Sequence, residues 1–421
     1  MDAIPYAPLT PEAIPRRLGR LPALVDLVGP DPAAWTAREV GDGNLNLVFV
    51  LSGPRGTVIA KQALPYVRLV GESWPLPLDR SWFEYNALIR QASRDPGSVP
   101  QVHHFDRDQA LIVMQFMEPH TILRRNLIAG IKHPGLARFL GEFCARTLFR
   151  SSDLSMTPAA RKADLALFAA NVELCDITEN LVFTDPYWEA PLNRHTSPQL
   201  DRIVAELRAD AELKIAAQHL KSAFASNAEA LLHGDLHTGS IMAAGDRIVV
   251  IDPEFATYGP MGFDVGMLIA NFLMAFHAQS GHEPAPGARD AHRGWILDVA
   301  AGVWSHFAAE FARLWRTERT GMLYPPKLYE DQGQPLAAEQ ALSDRLHAIW
   351  TDALGFCGVE IHRRILGLAH NADFEAIADP DLRAACETRA LLLGRQLVKV
   401  RRSIRGMDEV RALARLIDRT A

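Results

Sequence analysis

From Met117 onward the apolar residues recur at helical spacing almost to the C-terminus, with one interruption between His233 and Pro260. That interruption restricts the fold more than any other feature. It opens on His233-Gly234-Asp235-Leu236-His237-Thr238-Gly239-Ser240, and Ile251-Asp252-Pro253-Glu254-Phe255 follows after one short hairpin turn, Ala243 to Arg247. Two neighbouring turns, each joined to an apolar run, thus carry three carboxylates. Phosphoryl transfer from a Mg-nucleotide needs this grouping: one carboxylate orients a hydroxyl nucleophile, and others hold the metal on the phosphates. An isolated Asp235 would read as a turn former. Asp252 and Glu254, so close behind it, turn the reading toward chemistry.

Residues 30–116 read as short strands with one helix. Leu45 to Leu51 is a β-rich run, Ser52 to Gly56 supplies a turn, and Thr57 to Lys61 begins a second strand. A helix is expected from Leu78 to Arg94, capped by Asp79, and an antiparallel pair from Val102 to Phe105 and Ala110 to Phe116. The remainder predicts helices over Pro134 to Arg150, Pro158 to Val172, Gln199 to Asn227, Gly262 to Ser280, His292 to Thr320, Ala338 to His370 and Pro380 to Ile404. Met322 to Pro335 reads as a loop. The expected class is α+β: a strand-rich lobe over residues 1–117 joined to a larger helical lobe over 118–421.

Within the strand-rich part, Gly41-Asp42-Gly43-Asn44-Leu45-Asn46 is followed by strand, turn and strand. A dinucleotide fingerprint would need a helix there. The context instead fits a hairpin covering ATP phosphates, with Gly41 and Gly43 admitting close approach and Asn44 and Asn46 donating side-chain bonds. An ordinary turn is the bland alternative. Lys61, after Val58-Ile59-Ala60, occupies the place of the lysine that pairs nucleotide phosphates, with Glu84 or Glu72 to hold it. Gln115, Phe116 and Met117 end the last strand, where main-chain groups would read the adenine edge. Arg363 and Arg364 close a long helix, either as solvated charges favoured by the dipole or as a cationic pair facing an acceptor.

Composition narrows the partners. The formal net charge of -6 argues against nucleic acid, which demands a basic face. No apolar run approaches the roughly 20 residues that span a bilayer, and Met1 to Tyr6 lacks a signal-peptide pattern. Cys144, Cys175, Cys357 and Cys386 are far apart, with no C-x-x-C spacing. A cytoplasmic chain is expected. A zinc pair from His233 and His237 is disfavoured, because Gly234 breaks a helix and H-E-x-x-H is absent.

The core His233-Gly234-Asp235-Leu236-His237 resembles the aminoglycoside/choline phosphotransferase branch of the protein-kinase-like enzymes. Longer strings are similar to the methylthioribose kinase family within it: Gly41 to Asn46, Lys61 to Arg68, Gly71 to Leu76, His233 to Ile241, Asp252 to Ala256, Tyr258 to Asp264 and Arg363 to His370. Relatives acting on aminoglycosides or choline usually carry Asn at the Ser240 position, and Glu254 looks like the compensating metal ligand. Residues between Met322 and Ala338 look extra. The resemblance implies a protein-kinase-like two-lobe fold and ATP- and Mg²⁺-dependent phosphorylation of the 1-hydroxyl of 5-methylthioribose, a step of methionine salvage. It implies Asp235 as catalytic base in contact with substrate, and Arg363 and Arg364 at the sugar. Asp252 and Glu254 would hold Mg²⁺; Gly41, Gly43, Asn44, Lys61, Gln115, Phe116, Met117 and the Asp252-Pro253-Glu254 motif would form the ATP site. A homodimer is also implied.

Two other classes remain. Another small alcohol, such as choline, homoserine or an aminoglycoside, would be the acceptor of a related kinase; a cationic acceptor demands an acidic or aromatic pocket, whereas twin arginines suit a neutral sugar. A non-catalytic scaffold predicts loss of Asp235, Lys61 or Asp252, and all three are present. A protein kinase would show an A-P-E pattern after Glu254, and none follows.

Overall fold

The computed structural model describes residues 5–41, 45–68 and 71–420. Helices α1 (Ala13–Leu18) and α2 (Pro22–Val28) precede strands β1 (Thr36–Glu39), β2 (Asn46–Ser52) and β3 (Thr57–Ala63). A two-stranded ribbon, β4 (Tyr66–Val67) and β5 (Gly71–Pro75), leads into α3 (Arg80–Arg94), then β6 (Val102–Asp106) and β7 (Leu111–Gln115). Five strands form one antiparallel sheet in the order β1-β2-β3-β7-β6. Strand alternation decides what each face meets. Phe49, Leu51, Val58, Ala60, Leu111 and Val113 point to one side, where Ile14, Leu18, Leu24 and Val28 of the first two helices cover them. Ile59, Ile112 and Met114 point the other way, toward Leu88 of α3. Lys61 shares the face of Ile59, so it projects toward α3.

The chain continues through β8 (Thr121–Ile122), α4 (Leu123–Ile128), α5 (Leu136–Arg150), α6 (Pro158–Phe168), α7 (Val172–Phe183), α8 (Asp201–Ala209) and α9 (Ala211–Ser226). The interruption then supplies β9 (Ala230–Leu231), β10 (Ile241–Ala244), β11 (Arg247–Val250) and β12 (Tyr258–Gly259). Helices α10 (Gly262–His282), α11 (Asp290–Thr317), α12 (Pro335–Leu366), α13 (Ala372–Glu375), α14 (Pro380–Val400) and α15 (Met407–Thr420) complete it. Every residue of α10 from Gly262 to Gln279 is buried. It can sit so deep because Gly262 and Gly266 face α12, where an added Cβ would stand 2.8 Å from Ile349 O and 2.4 Å from Ala353 O. This is the expected α+β, kinase-like plan of sheet and helical lobe.

Several element expectations change. The helix expected over Gln199 to Asn227 breaks at Asp210, whose carboxylate accepts the Leu213 N–H (3.0 Å) and so starts α9 afresh. The one expected to reach Val172 stops at Phe168, and α7 begins there instead. Asp79 sits at the start of α3 without a side-chain cap; its carboxylate lies 3.5 Å from Arg107. The far end of the helix expected over Gln199 to Asn227 holds to within one residue, α9 closing at Ser226, and β9 follows before the Asp235 loop. The interruption does not hold all the later β-structure, since β8 pairs with β10. The stretch from Met322 to Pro335 contains two short 3₁₀ turns, Pro326–Leu328 and Glu330–Gln332, tied to the body by an Arg319–Glu330 ion pair.

Candidate functional site

The loop after β9 is held by Asp264 in the first turn of α10. Its Oδ2 accepts the His233 N–H (2.6 Å) and its Oδ1 the Gly234 N–H (3.1 Å). Gly234 has φ +86°, and a Cβ there would lie 2.1 Å from the Phe255 carbonyl oxygen. Only glycine meets both conditions. His233 Nε2 donates to Ile251 O (2.9 Å), tying this loop to the residue before Asp252. The Ser240 hydroxyl donates to Asp235 O (3.0 Å), so its first service is to the loop's own backbone.

Asp235 is surrounded by donors. Arg363 Nη2 and Arg364 Nη2 each reach Oδ1 at 2.9 Å, and His237 Nε2 lies 3.2 Å from Oδ2. The Gly239 N–H donates to His237 Nδ1 (2.9 Å), so the neutral ring carries its proton on Nε2, facing Asp235. Burial opposes the Asp235 charge, but His237 and the two arginines hold the carboxyl well below the ordinary carboxylate range. Burial pushes His237 down to about 4, against the pull of Asp235, so at neutral pH the uncharged ring serves Asp235 through its Nε2–H and the arginines supply the charge. Both arginines are oriented from behind by Glu360, which is fully buried: Oε2 accepts Arg363 Nε (2.6 Å) and Oε1 accepts Arg364 Nε (2.7 Å). They are not solvated helix-end charges.

A second charged layer lies beneath. Arg124 donates its main-chain N–H to Thr238 O (3.0 Å), Nε to Thr238 Oγ1 (3.2 Å) and Nη2 to Asn271 Oδ1 (2.9 Å). Its guanidinium is 3.3 Å from Asp373, whose carboxyl burial pushes up to about 6.

On the sheet side, Lys61 Nζ is 2.8 Å from Glu84 Oε1 and also contacts Asp252 Oδ1. Of the two carboxylates that compete for Lys61 in the sequence, Glu84 holds it; the Glu72 side chain lies outside the described residues. Burial opposes the Lys61 charge, and Asp252, Glu84 and Glu254 outweigh it, raising the ammonium above its ordinary value. Glu254 is buried, with Oε2 3.0 Å from Asn46 Nδ2 and 3.5 Å from Arg80 Nε. Asn46 therefore serves this carboxylate and does not reach toward phosphates from the hairpin, contrary to expectation. Asp252 adopts φ +69°, a left-handed conformation that Asp tolerates better than most residues.

Glu84, Asp252 and Glu254 offer ligand oxygens all within 4.8 Å of one another, the one such acidic, His or Cys group among the described residues. An all-oxygen set with carboxylates suits a hard divalent ion. Three carboxyl groups face two side-chain cations, Lys61 and Arg80. Burial and then Asp252 push the Glu254 carboxyl upward. The residues fit the group.

Gln115 closes β7 opposite Val58, and Phe116 and Met117 follow it half-buried where chain passes from sheet to helical part. Gly41 is exposed at the turn between β1 and β2 with open space around it; Gly43 and Asn44 lie outside the described residues. Pro253 is buried between the two acidic residues. Thus Lys61, Glu84, Asp252 and Glu254 form one cluster, and Asp235, His237, Arg363 and Arg364 a second. Sequence reasoning missed Glu360, Arg124 and Asp373. Glu360 stands three and four residues before the arginines, which helical spacing alone makes a pair; the other two leave no local signal.

The chain matches a family model described as "Phosphotransferase enzyme family" over residues 36–302. It is 42% identical to methylthioribose kinase 1 of Oryza sativa subsp. japonica over 98% of this chain and 96% of that protein. It is 42% identical to a methylthioribose kinase of Escherichia coli O45:K1 (strain S88 / ExPEC) over 97% of this chain and 98% of the relative. A methylthioribose kinase of Yersinia pseudotuberculosis serotype O:3 (strain YPIII) is 44% identical, over 88% of each.

Proposed function

We propose how the reaction is run in a chain that belongs to the phosphotransferase enzyme family and, within it, to the methylthioribose kinases. The protein phosphorylates 5-methylthioribose at the expense of ATP. The nucleotide lies between residues 1–117 and 118–421, its adenine edge on main-chain groups of Gln115 to Met117. Its phosphates are bound by Gly41, Gly43 and Asn44, and Lys61 pairs with them while Glu84 keeps the ammonium in place. Asp252 and Glu254 would hold Mg²⁺, which, when bound, neutralises charge on the transferring phosphoryl group.

Asp235 accepts a hydrogen bond from the 1-hydroxyl of the sugar and takes its proton. Its depressed basicity makes this a late transfer, completed as the oxygen gains its bond to phosphorus. Arg363 and Arg364 fix the carboxylate and offer remaining N–H groups to ribose oxygens. The observation that supports this reading best is the pair of arginines converging on Asp235 Oδ1 at 2.9 Å each. It sets two guanidinium groups, which can only donate, beside the acceptor; their charge is balanced by Asp235 and Glu360, which suits the oxygens of a neutral sugar and leaves no spare acidic group for the cation of choline or an aminoglycoside.

ATP consumption measured with methylthioribose, ribose, choline, homoserine and kanamycin tests the assignment. Methylthioribose should exceed every other acceptor by at least ~100-fold in kcat/KM, about 2.7 kcal/mol of transition-state discrimination. A preference for a cationic alcohol would refute it. A homodimer and a cytoplasmic location belong to the same reading, and sedimentation at micromolar concentration measures the first. No helix among the described residues is long and apolar enough to cross a membrane.

A further inference from the structure

Glu84 holds Lys61 only while α3 keeps its rotation and tilt. Phe83, Ala87, Arg90 and Arg94 recur on α3 at intervals of four, three and four residues, so they share the face beside Glu84. That face docks on α6. Asp164 Oδ1 accepts both Nε and Nη2 of Arg90 (2.8 and 2.7 Å), and its Oδ2 accepts Nη2 of Arg94 (3.1 Å). The Tyr258 hydroxyl donates to the same Oδ2 at 3.4 Å, and the Arg90 guanidinium lies 5.3 Å from the Phe168 ring centre. Charge-assisted bonds of this kind, mostly shielded from water, are the strong class.

The same corner grips the acidic segment. Asn171, between α6 and α7 and 2% exposed, donates Nδ2 to the main-chain oxygens of Glu254 and Ala256, each at 3.0 Å. Phe83 and Ala87 of α3, Phe168 of α6, Leu231 of β9, and Ala256 and Tyr258 beyond Glu254 form one small buried core. One corner therefore touches the helix carrying Glu84, the strand entering the Asp235 loop, and the segment carrying Asp252 and Glu254. Neither Asp164 nor Asn171 lies in any string that carries the family likeness.

We infer that the α6–α7 corner is a brace fixing the separation of Glu84 from the Asp252–Glu254 segment, with Asp164 and Asn171 as positioning residues. This rests on the reading of Lys61, Glu84 and the acidic pair as the nucleotide site. The test is a double-mutant cycle on kcat at saturating ATP and methylthioribose: wild type, Asp164→Asn, Glu84→Gln and the double variant. Asp164→Asn should lower kcat at least ~fivefold, with KM for methylthioribose within ~twofold, and the double variant should fall no more than ~twofold below Glu84→Gln alone. A loss of packing without this route would give additive losses. Additivity, or Asp164→Asn within ~twofold of wild type, overturns the brace while a slow Glu84→Gln keeps the nucleotide site. A wild-type rate in Glu84→Gln overturns both. Should Asp164→Asn fail to fold, Arg90→Gln, which leaves Arg94 on the carboxylate, enters the same cycle with the same criteria.

Discussion

Asp235→Asn should lower kcat with methylthioribose by about a thousandfold while nucleotide affinity stays within ~threefold, within the range for removing a general base. Every neighbour of this carboxylate donates. Arginine can only donate, and the Gly239 N–H on Nδ1 obliges His237 to present its Nε2–H. An amide has one accepting oxygen and a donating nitrogen. If the oxygen takes Arg363 and Arg364, the nitrogen faces His237; if it turns, the nitrogen faces both arginines. Either way the side chain is mispaired, and no group remains to take the proton of the sugar hydroxyl. Lys61, Glu84, Asp252 and Glu254 lie on other segments and keep their contacts. Calorimetric titration with ATP beside steady-state rates checks both halves, and a kcat within tenfold of wild type would contradict the assignment.

Glu360→Gln should cost about 3 kcal/mol of folding stability, the scale of removing one partner from a buried ion group. Glu360 is wholly inside the protein and holds the Nε of both arginines, at 2.6 and 2.7 Å. The amide leaves the two guanidinium groups with Asp235 as their one carboxylate; its oxygen still accepts from one Nε, and its N–H is set against the other. The arginine carboxylate contacts hold Glu360 below its ordinary pKa despite burial. A carboxyl depressed in the folded state stabilises fully above its unfolded pKa, and the gain is lost as pH falls through the folded value. The wild-type advantage should therefore be full at pH 7 and shrink in acid. Urea midpoints for the two proteins at pH 7 and in acid measure it; equal midpoints at pH 7 would remove Glu360 from the account. Loss of sugar use should accompany the loss of stability, since Arg363 and Arg364 then lack their rear support.

What the sequence made legible was local. Asp235, Asp252 and Glu254 stand within one interruption of a helical pattern, and Lys61 ends an apolar strand, so spacing alone suggested their chemistry. Glu84 against Glu72 was left open because strand and helix register, not composition, decides which carboxylate faces Lys61. Arg363 and Arg364 had two readings because exposure at a helix end is a tertiary property; Glu360, on the same helix face, was the available clue that they are buried and paired. Asp264 was visible in a string but its service to His233 and Gly234 was not, since a side chain thirty residues away closes the loop. Arg124, Asp373 and Asn171 were silent for the same reason: each acts on backbone or charge contributed by a distant element. Helix limits failed where capping competed with pattern. Asp210 divides a continuous apolar period into α8 and α9, and Phe168 ends a helix whose periodicity runs on.

The central claim is that Asp235 and its arginines deliver the terminal phosphoryl group of ATP to the anomeric oxygen of methylthioribose. Phosphorus NMR of the product made from ATP, Mg²⁺ and methylthioribose tests it most directly. The account predicts one phosphomonoester resonance coupled to the anomeric proton, stoichiometric with ADP and absent with Asp235→Asn. A phosphate on any other hydroxyl, or no phosphorylated sugar from active protein, would contradict it.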